Sequence, residues 1–257
     1  RETYRNDDFV LPAEVLLPGY EASEYERRDG RLIREHGRLV GRVLCNLPLT
    51  EDVNVAKMML EIHPEARRRG FGAAAYELGE RLVREAGRTE IRTWVVHREV
   101  DGPRIPSPTG VGDIPALDPA AQMLVGRGFE LGQVERMSVL ELGEGRDAGL
   151  RGLRDGAAEI AGDDYRYVSW AHPTPEEHID GYAQLKARMS TDAPQGDLAE
   201  DEQSWDAKRV REELESTAIA RGDRVLVGAI EHLPSGELVA FTELQRMADG
   251  TKRADQE

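Results

Sequence analysis

A single cysteine, Cys45, is all the thiol chemistry available to this chain of 257 residues. One cysteine cannot form an internal disulfide or a cysteine-built zinc site, and such usage fits a reducing compartment. It follows the alternating run Leu39 to Leu44, so its expected place is in a core as a small hydrophobe, the other reading being a nucleophile. Aromatic residues are scarce too, at 5%. No apolar run approaches the roughly 20 residues that a membrane-spanning helix needs, so no membrane partner is expected. Arg1 is not followed by a charged-then-apolar leader, which makes the cytoplasm the expected location. Lysine is nearly missing, with four against thirty arginines, and no function attaches to that bias.

Positive charge is in deficit: 49 acidic against 34 basic residues give −15. Nucleic acid is therefore not an expected partner, because phosphate binding needs a net basic face. The excess is uneven, with 24 acids and 20 bases in residues 1–142 but 25 and 14 in 143–257. A cationic substrate would be drawn to such a surface, although solubility alone accounts for it. What remains is ordinary: 39% hydrophobic and 32% charged residues describe a soluble globular chain whose length lies between one and two average domains.

Two stretches repeat one pattern about two hundred residues apart. Arg31 to His36, then Gly37 to Gly41, reads as strand, tight turn and strand. Arg224 to His232, a loop with Pro234 and Gly236, then Glu237 to Leu244, reads as the same hairpin with a longer turn. The chain ahead of the second hairpin is helical in pattern, with Trp205, Val210, Leu214 and Ala218 at helical spacing. A tandem duplication is the economical reading. Between the hairpins, Val55 to His63 reads as a strand and Ala74, Leu78, Leu82 and Val83 as one helix face ended at Gly87. A strand over Glu90 to Val96 would then lie parallel to the first. The proline- and glycine-rich stretch 99–118 reads as a surface loop, Asp118-Pro119 as a helix start, and Gln133 to Leu142 as a closing strand. Five glycines between 143 and 156 mark the expected boundary, giving a domain over 1–142, a linker over 143–162 and a partial second domain over 163–257, whose ends read as clipped from a longer plan.

The chemistry concentrates in Leu60-Glu-Ile-His-Pro-Glu-Ala-Arg-Arg-Arg-Gly-Phe-Gly-Ala73. Gly70 and Gly72 let backbone approach closely, and they precede a helix whose first N–H groups have no internal partner. The positive helix end and Arg67, Arg68 and Arg69 complete an anion seat suited to a phosphate or pyrophosphate. A plain helix entry with a solvated basic patch is the other reading. A nucleotide-hydrolysing loop would need Lys then Ser or Thr after the last glycine, where Ala73-Ala74 stands; a dinucleotide fingerprint would need a third glycine, where Ala75 stands.

Arg67, Gly70 and Gly72, the strand ending at Ile62 and Pro64, and the segment Ala120 to Phe129 with its Gly-Phe ending together resemble the GNAT superfamily of N-acetyltransferases. The resemblance covers roughly 30–142, and the overall plan resembles the tandem-domain, mycothiol-synthase-like type. It implies tandem GNAT acyl-CoA N-acetyltransferase folds of α/β (α+β mixed-sheet) class, the second apparently incomplete. It further implies acetyl-CoA as co-substrate, its pyrophosphate on the N–H groups from Arg68 to Ala73, Phe71 among them, and its pantetheine arm along Leu60 and Ile62. The acceptor would be a primary amine of a small molecule, attacking the thioester directly. A tyrosine four residues before the Gly-Phe glycine commonly protonates the thiolate in the family; here that position is Leu124, which leaves an inactive acyl-CoA-binding or sensing module as the alternative. Met189 to Pro194 resembles a segment of tandem members.

For the base that the amine needs, Glu61 is the candidate, on the strand face opposite Leu60 and Ile62. Its plainer reading is a solvent-facing or arginine-paired carboxylate. His63 and His97 are other candidates for the base, each nearer a strand end, where a lone histidine is more often structural. His172 and His178 lack an evident third ligand, so no metal site is read.

Overall fold

The computed structural model describes residues 13–20, 23–143, 145–192, 196, 198, 200–248 and 253–256. They divide into two compact units, one within Arg1–Val134 and Pro194–Gln203, the other within Glu135–Ala193 and Ser204–Glu257.

In the first unit a short helix α1 (Ala13–Leu16) precedes the hairpin of β1 (Glu26–Glu35) and β2 (Arg38–Pro48). The hairpin turns at His36 and Gly37, both with positive φ, 47° and 83°, as a two-residue turn matched to strand twist demands. β3 (Val55–Ile62) runs antiparallel to β2. At Gly41 a Cβ would stand 2.5 Å from the Glu61 carbonyl oxygen, so β2 and β3 approach this closely only with glycine there. A 3-10 turn (Pro64–Ala66) leads to helix α2 (Phe71–Glu85), and β4 (Glu90–Arg92) returns parallel to β3. The sheet order is β1-β2-β3-β4.

Helix α2 covers one face of this sheet because its apolar residues recur every three or four positions. Tyr76, Leu82 and Val83 pack with Val43, Cys45, Leu47, Ala56 and Met58. Gly79 sets the spacing: a Cβ there would meet Met58 Sδ at 2.6 Å and Val43 Cγ2 at 2.9 Å. Cys45 is fully buried in this core, and burial pushes its thiol up to about 11.

Three expectations are corrected here. The strand over Glu90 to Val96 stops at Arg92. The loop over 99–118 contains a small antiparallel pair, β5 (Arg104–Pro106) and β6 (Asp113–Pro115), with Arg104 held by Asp113 at 2.7 Å. Gln133 to Leu142 forms no strand: a strand is stabilised by its partner's ladder, none of these residues enters one, and Met137, Val139 and Leu142 remain exposed. Helix α3 (Pro119–Val125) begins as expected, the Asp118 carboxylate accepting from the Ala120 and Ala121 amides at 2.8 and 3.3 Å.

The second unit begins with α4 (Arg146–Ala161), a helix with no buried residue in the segment expected as a linker. β7 (Tyr165–Ala171), α5 (Glu176–Asp192), α6 (Ala207–Arg209), a π-helical turn (Val210–Glu215), α7 (Ser216–Arg221), β8 (Arg224–His232), β9 (Glu237–Arg246) and β10 (Asp255–Gln256) follow. The sheet, ordered β10-β9-β8-β7, is antiparallel throughout. Trp170, Ile179, Tyr182, Val210 and Val227 form its core. Ala193 and Pro194, at the end of the segment singled out from Met189, lie outside the described residues. Among the described residues no helix is long and apolar enough to cross a membrane.

Candidate functional site

The loop between β3 and α2 has the geometry of an anion seat. Gly70 caps the helix with φ 87° and ψ −13°, and no side chain caps it. The first ladder bond runs from the Ala74 amide to the Gly70 carbonyl at 3.1 Å. The amides of Phe71, Gly72 and Ala73 therefore precede the ladder, and among the described residues no protein group takes them. Arg68 is held at φ 62°, a left-handed conformation that bulky residues rarely adopt. Gly72 differs from Gly70. Its φ is ordinary, and a Cβ there would meet only Met123 Sδ at 3.7 Å and Ile62 Cγ1 at 4.0 Å, ordinary contacts. Neither φ nor packing among the described residues demands glycine at 72.

The three arginines are not equivalent. Arg67 Nε donates to the Ile62 carbonyl at 3.0 Å, tying the loop to the strand end. Arg69 pairs with Glu35 and lies over the Phe71 ring at 5.5 Å. Arg68 is exposed and has no protein partner among the described residues, so its charge is the one free to meet an anion. The hydrogen bond and charge of Arg38 hold the neighbouring Glu65 carboxyl below its ordinary range, which offsets the one acid on the loop.

Beside the loop the sheet opens. β3 and β4 pair over only three steps, Val55 with Glu90, Ala56 with Ile91 and Lys57 with Arg92. Beyond them Met58 to Ile62 keeps β2 on one side and, among the described residues, has no partner strand on the other, so Leu60 and Ile62 border a wedge, at whose end the Ile62 carbonyl is taken by Arg67 Nε. Glu200 marks the point of divergence, its carboxylate 3.2 Å from Lys57 Nζ and 3.9 Å from Arg92 Nη1. Lys57 also lies 5.9 Å from the Trp94 ring centre. Sequence reasoning placed residue 200 with the second half of the chain; contacts across some 140 positions leave no local signal.

Glu61 stands on the other face, directly opposite Arg42 in the β2–β3 register, and its carboxylate accepts from Arg42 Nε. Its side chain is 56% exposed. The ion pair engages Oε2 and leaves Oε1 without a partner among the described residues, so Glu61 is an arginine-paired carboxylate on an exposed face. His63 is exposed at the strand exit. His97 is half-buried, with Nδ1 3.5 Å from Asp118 Oδ1. Leu124 is half-buried on α3, and its side chain has no proton to give. The site is held together by α3: Met123 approaches Gly72, and Phe129 stacks edge-on against Tyr76 at 6.0 Å.

In the second unit Gly143 and Gly145 lead into α4, and Gly145 caps it with φ 86° and ψ −8° and no side-chain cap, much as Gly70 caps α2, but no strand immediately precedes them among the described residues. The unit also buries a polar network. Tyr182 donates to Glu243, Lys186 Nζ lies 2.7 Å from the same carboxylate, and Glu215 accepts from the Thr174 amide at 2.6 Å and pairs with Arg211 at 2.7 Å. Burial works against the Glu215 charge, yet the bonds from Arg211 and Thr174 hold its carboxyl below the ordinary range. His172 sits beside them with both ring nitrogens buried and unbonded, and burial pushes its imidazole down. His178 stacks on Trp170 at 4.8 Å. Among the described residues no group of three or more His, Cys, Asp or Glu gathers as a metal site would require.

No protein-family model matches the chain, and no curated protein sequence does. Solved structures do. A tandem GNAT protein from the clavulanic acid biosynthesis pathway, solved without acetyl-CoA, superposes on 95% of this chain and 67% of its own with TM-score 0.61 and 22% identity. The fold is that of a tandem GNAT protein. A putative acetyl transferase from Pyrococcus furiosus matches 46% of this chain and 66% of its own, at TM-score 0.30 and 22% identity. An aminoglycoside acetyltransferase from an uncultured soil metagenomic sample, solved with trehalose, matches 53% and 80%, at 0.36 and 13%. Superpositions that loose carry no argument; the tandem GNAT architecture rests on the first, a third of which this chain does not cover.

Proposed function

We propose that this chain is an N-acetyltransferase that moves the acetyl group of acetyl-CoA to the primary amine of a small molecule by direct attack. The observation that carries the reading is the uncapped start of α2, where the amides of Phe71 to Ala73 are free and Gly72 is a glycine without a protein reason. A pyrophosphate there gains backbone donors, the helix dipole and the Arg68 charge together. The open edge of β3 at Met58 and Leu60, short of the Ile62 carbonyl that Arg67 occupies, offers N–H and C=O groups to the amides of a pantetheine arm, which would set the thioester at the mouth of the wedge. Glu61 is proposed on the acceptor side; an ammonium group would displace Arg42 to reach it.

Leu124 favours one other reading, an acyl-CoA-binding module without turnover, since the position offers no acid for a departing thiolate. Calorimetry with acetyl-CoA and a thiol-release assay over a panel of amines separate the two. Binding with turnover on at least one amine supports the transferase; binding with none supports the module; no binding rejects both.

A further inference from the structure

From the wedge and its second wall we infer that His97, oriented by Asp118, is the proton-transfer group of the acetyl transfer. The inference rests on the acetyl-CoA reading above and adds to it the residue that moves the proton.

The placement follows from register. β3 and β4 pair only as far as Lys57 and Arg92; counted on at the same offset, without pairing, Met58 corresponds to Thr93, Leu60 to Val95 and Ile62 to His97. Thr93, Val95 and His97 are half-buried, while Trp94 and Val96 are exposed, the period-two pattern of an extended segment with one inner side. Lys57 and Trp94 mark the outer face. His97 therefore falls on the parity of Ile91, which packs with Leu60 against the core beneath α2. About twenty residues separate His97 from Asp118, and the β5–β6 excursion returns the chain so that the two side chains meet.

The chemistry of the pair is specific. Asp118 Oδ1 is already fixed by two α3 amides, so it is a stationary acceptor. His97 Nδ1 is buried with no hydrogen-bond partner and faces that oxygen at 3.5 Å. Such contacts are often long before substrate binds and tighten in the reacting complex. A proton on Nδ1 directed at Asp118 leaves Nε2 as a lone pair, and Nε2 is not among the buried atoms. In the transfer, a neutral amine attacks the acetyl carbon. The N–C bond forms, the C–S bond breaks, the proton leaving nitrogen is taken by His97 Nε2, and it passes to the departing thiolate to give free CoA thiol. Asp118 stabilises the imidazolium while it carries that proton. One residue thus serves both ends of the reaction, and Leu124 is no obstacle.

The test compares the wild-type chain with His97→Gln and Asp118→Asn; asparagine keeps the helix cap and removes the charge. Calorimetry with acetyl-CoA comes first. Affinity within about two-fold for all three proteins shows an intact anion seat. The His97→Gln variant should then lose roughly 10²- to 10⁴-fold in kcat, together with the acidic limb of its pH–rate profile, and Asp118→Asn should lose less. Nitrogen NMR of the imidazoles supplies a readout independent of any amine: CoA should shift the His97 ring signals, and desulfo-CoA should leave them in place. Full kcat and an unchanged limb in His97→Gln, or identical spectra with CoA and desulfo-CoA, overturns this inference and leaves the transferase reading standing. Absence of acetyl-CoA binding by the wild-type chain overturns both.

Discussion

Asp52 and Asp201 hold each other by reciprocal hydrogen bonds, each carboxylate accepting from the other's backbone amide, at 3.0 and 3.1 Å. Asp52 is 6% exposed and adopts φ 50°. The pair ties a segment from late in the chain to the turn that starts β3, next to the Glu200 contact where β3 and β4 part. Asp201→Ala leaves the Asp52 amide without its acceptor, a loss of about 1–3 kcal/mol. Urea denaturation of the full chain should show that loss, with Asp201→Asn retaining part of it. Equal stability for Asp201→Ala would mean that water replaces the bond at no cost.

Gly72→Ala separates a ligand's need for glycine from the protein's. Alanine is the better helix former by up to about 1 kcal/mol, and the added methyl meets only ordinary contacts. Thermal stability should hold or rise while acetyl-CoA affinity falls by tenfold or more. Calorimetry on a variant with an undiminished melting temperature is the measurement, and unchanged affinity would show that nothing approaches the helix end at that point.

Among the loop arginines, Arg68→Ala should weaken acetyl-CoA binding the most, because Arg67 and Arg69 already serve Ile62 and Glu35. A charge-assisted bond contributes about 1.5–3 kcal/mol when well formed, so a loss of roughly tenfold or more is expected at low salt. The effect should shrink as salt screens the pair. Arg67→Ala losing more than Arg68→Ala would mean that loop tethering, and not the free charge, governs affinity.

Acid should loosen the second unit in two stages. His172 is pushed below its ordinary 6.5 by burial, with Glu215 and Glu243 pulling the other way and Lys186 and Arg211 adding to the push. A folded value below the unfolded one means that the unfolded chain takes the proton first. Its contribution is full above 6.5 and is lost as pH falls towards the folded value. Glu215, held below 4.5, contributes above that pH and is lost beneath it. Each proton accounts for at most about 1.4 kcal/mol per pH unit. His172→Leu should flatten the upper stage and spare the lower, as read from melting temperatures at several pH values; an unaltered upper slope would exclude His172 as its source.

Local pattern carried much of this architecture. The His36-Gly37 turn, β3, α2 and the Asp118 cap are each specified by neighbours in sequence, and the loop from Arg67 to Ala73 stood out because glycines, arginines and a helix start coincide. Elements that depend on distant partners were not legible. Gln133 to Leu142 alternates as a strand does, but alternation states only a face, and a strand needs a ladder. The unequal engagement of three consecutive arginines and the approach of His97 to Asp118 are properties of tertiary placement, and composition is silent on them; the pairing of Glu61 with an arginine is anticipated by the sequence, the identity of Arg42 is not.

Cys45 bears on how the chain can be assayed. Its sulfur lies beneath α2 against the Gly79 carbonyl at 3.8 Å, shielded from solvent and far from ionising at neutral pH. A chromogenic disulfide reagent added to the native protein should find nothing to cleave it, so every equivalent of colour would report product. The fold furnishes its own blank.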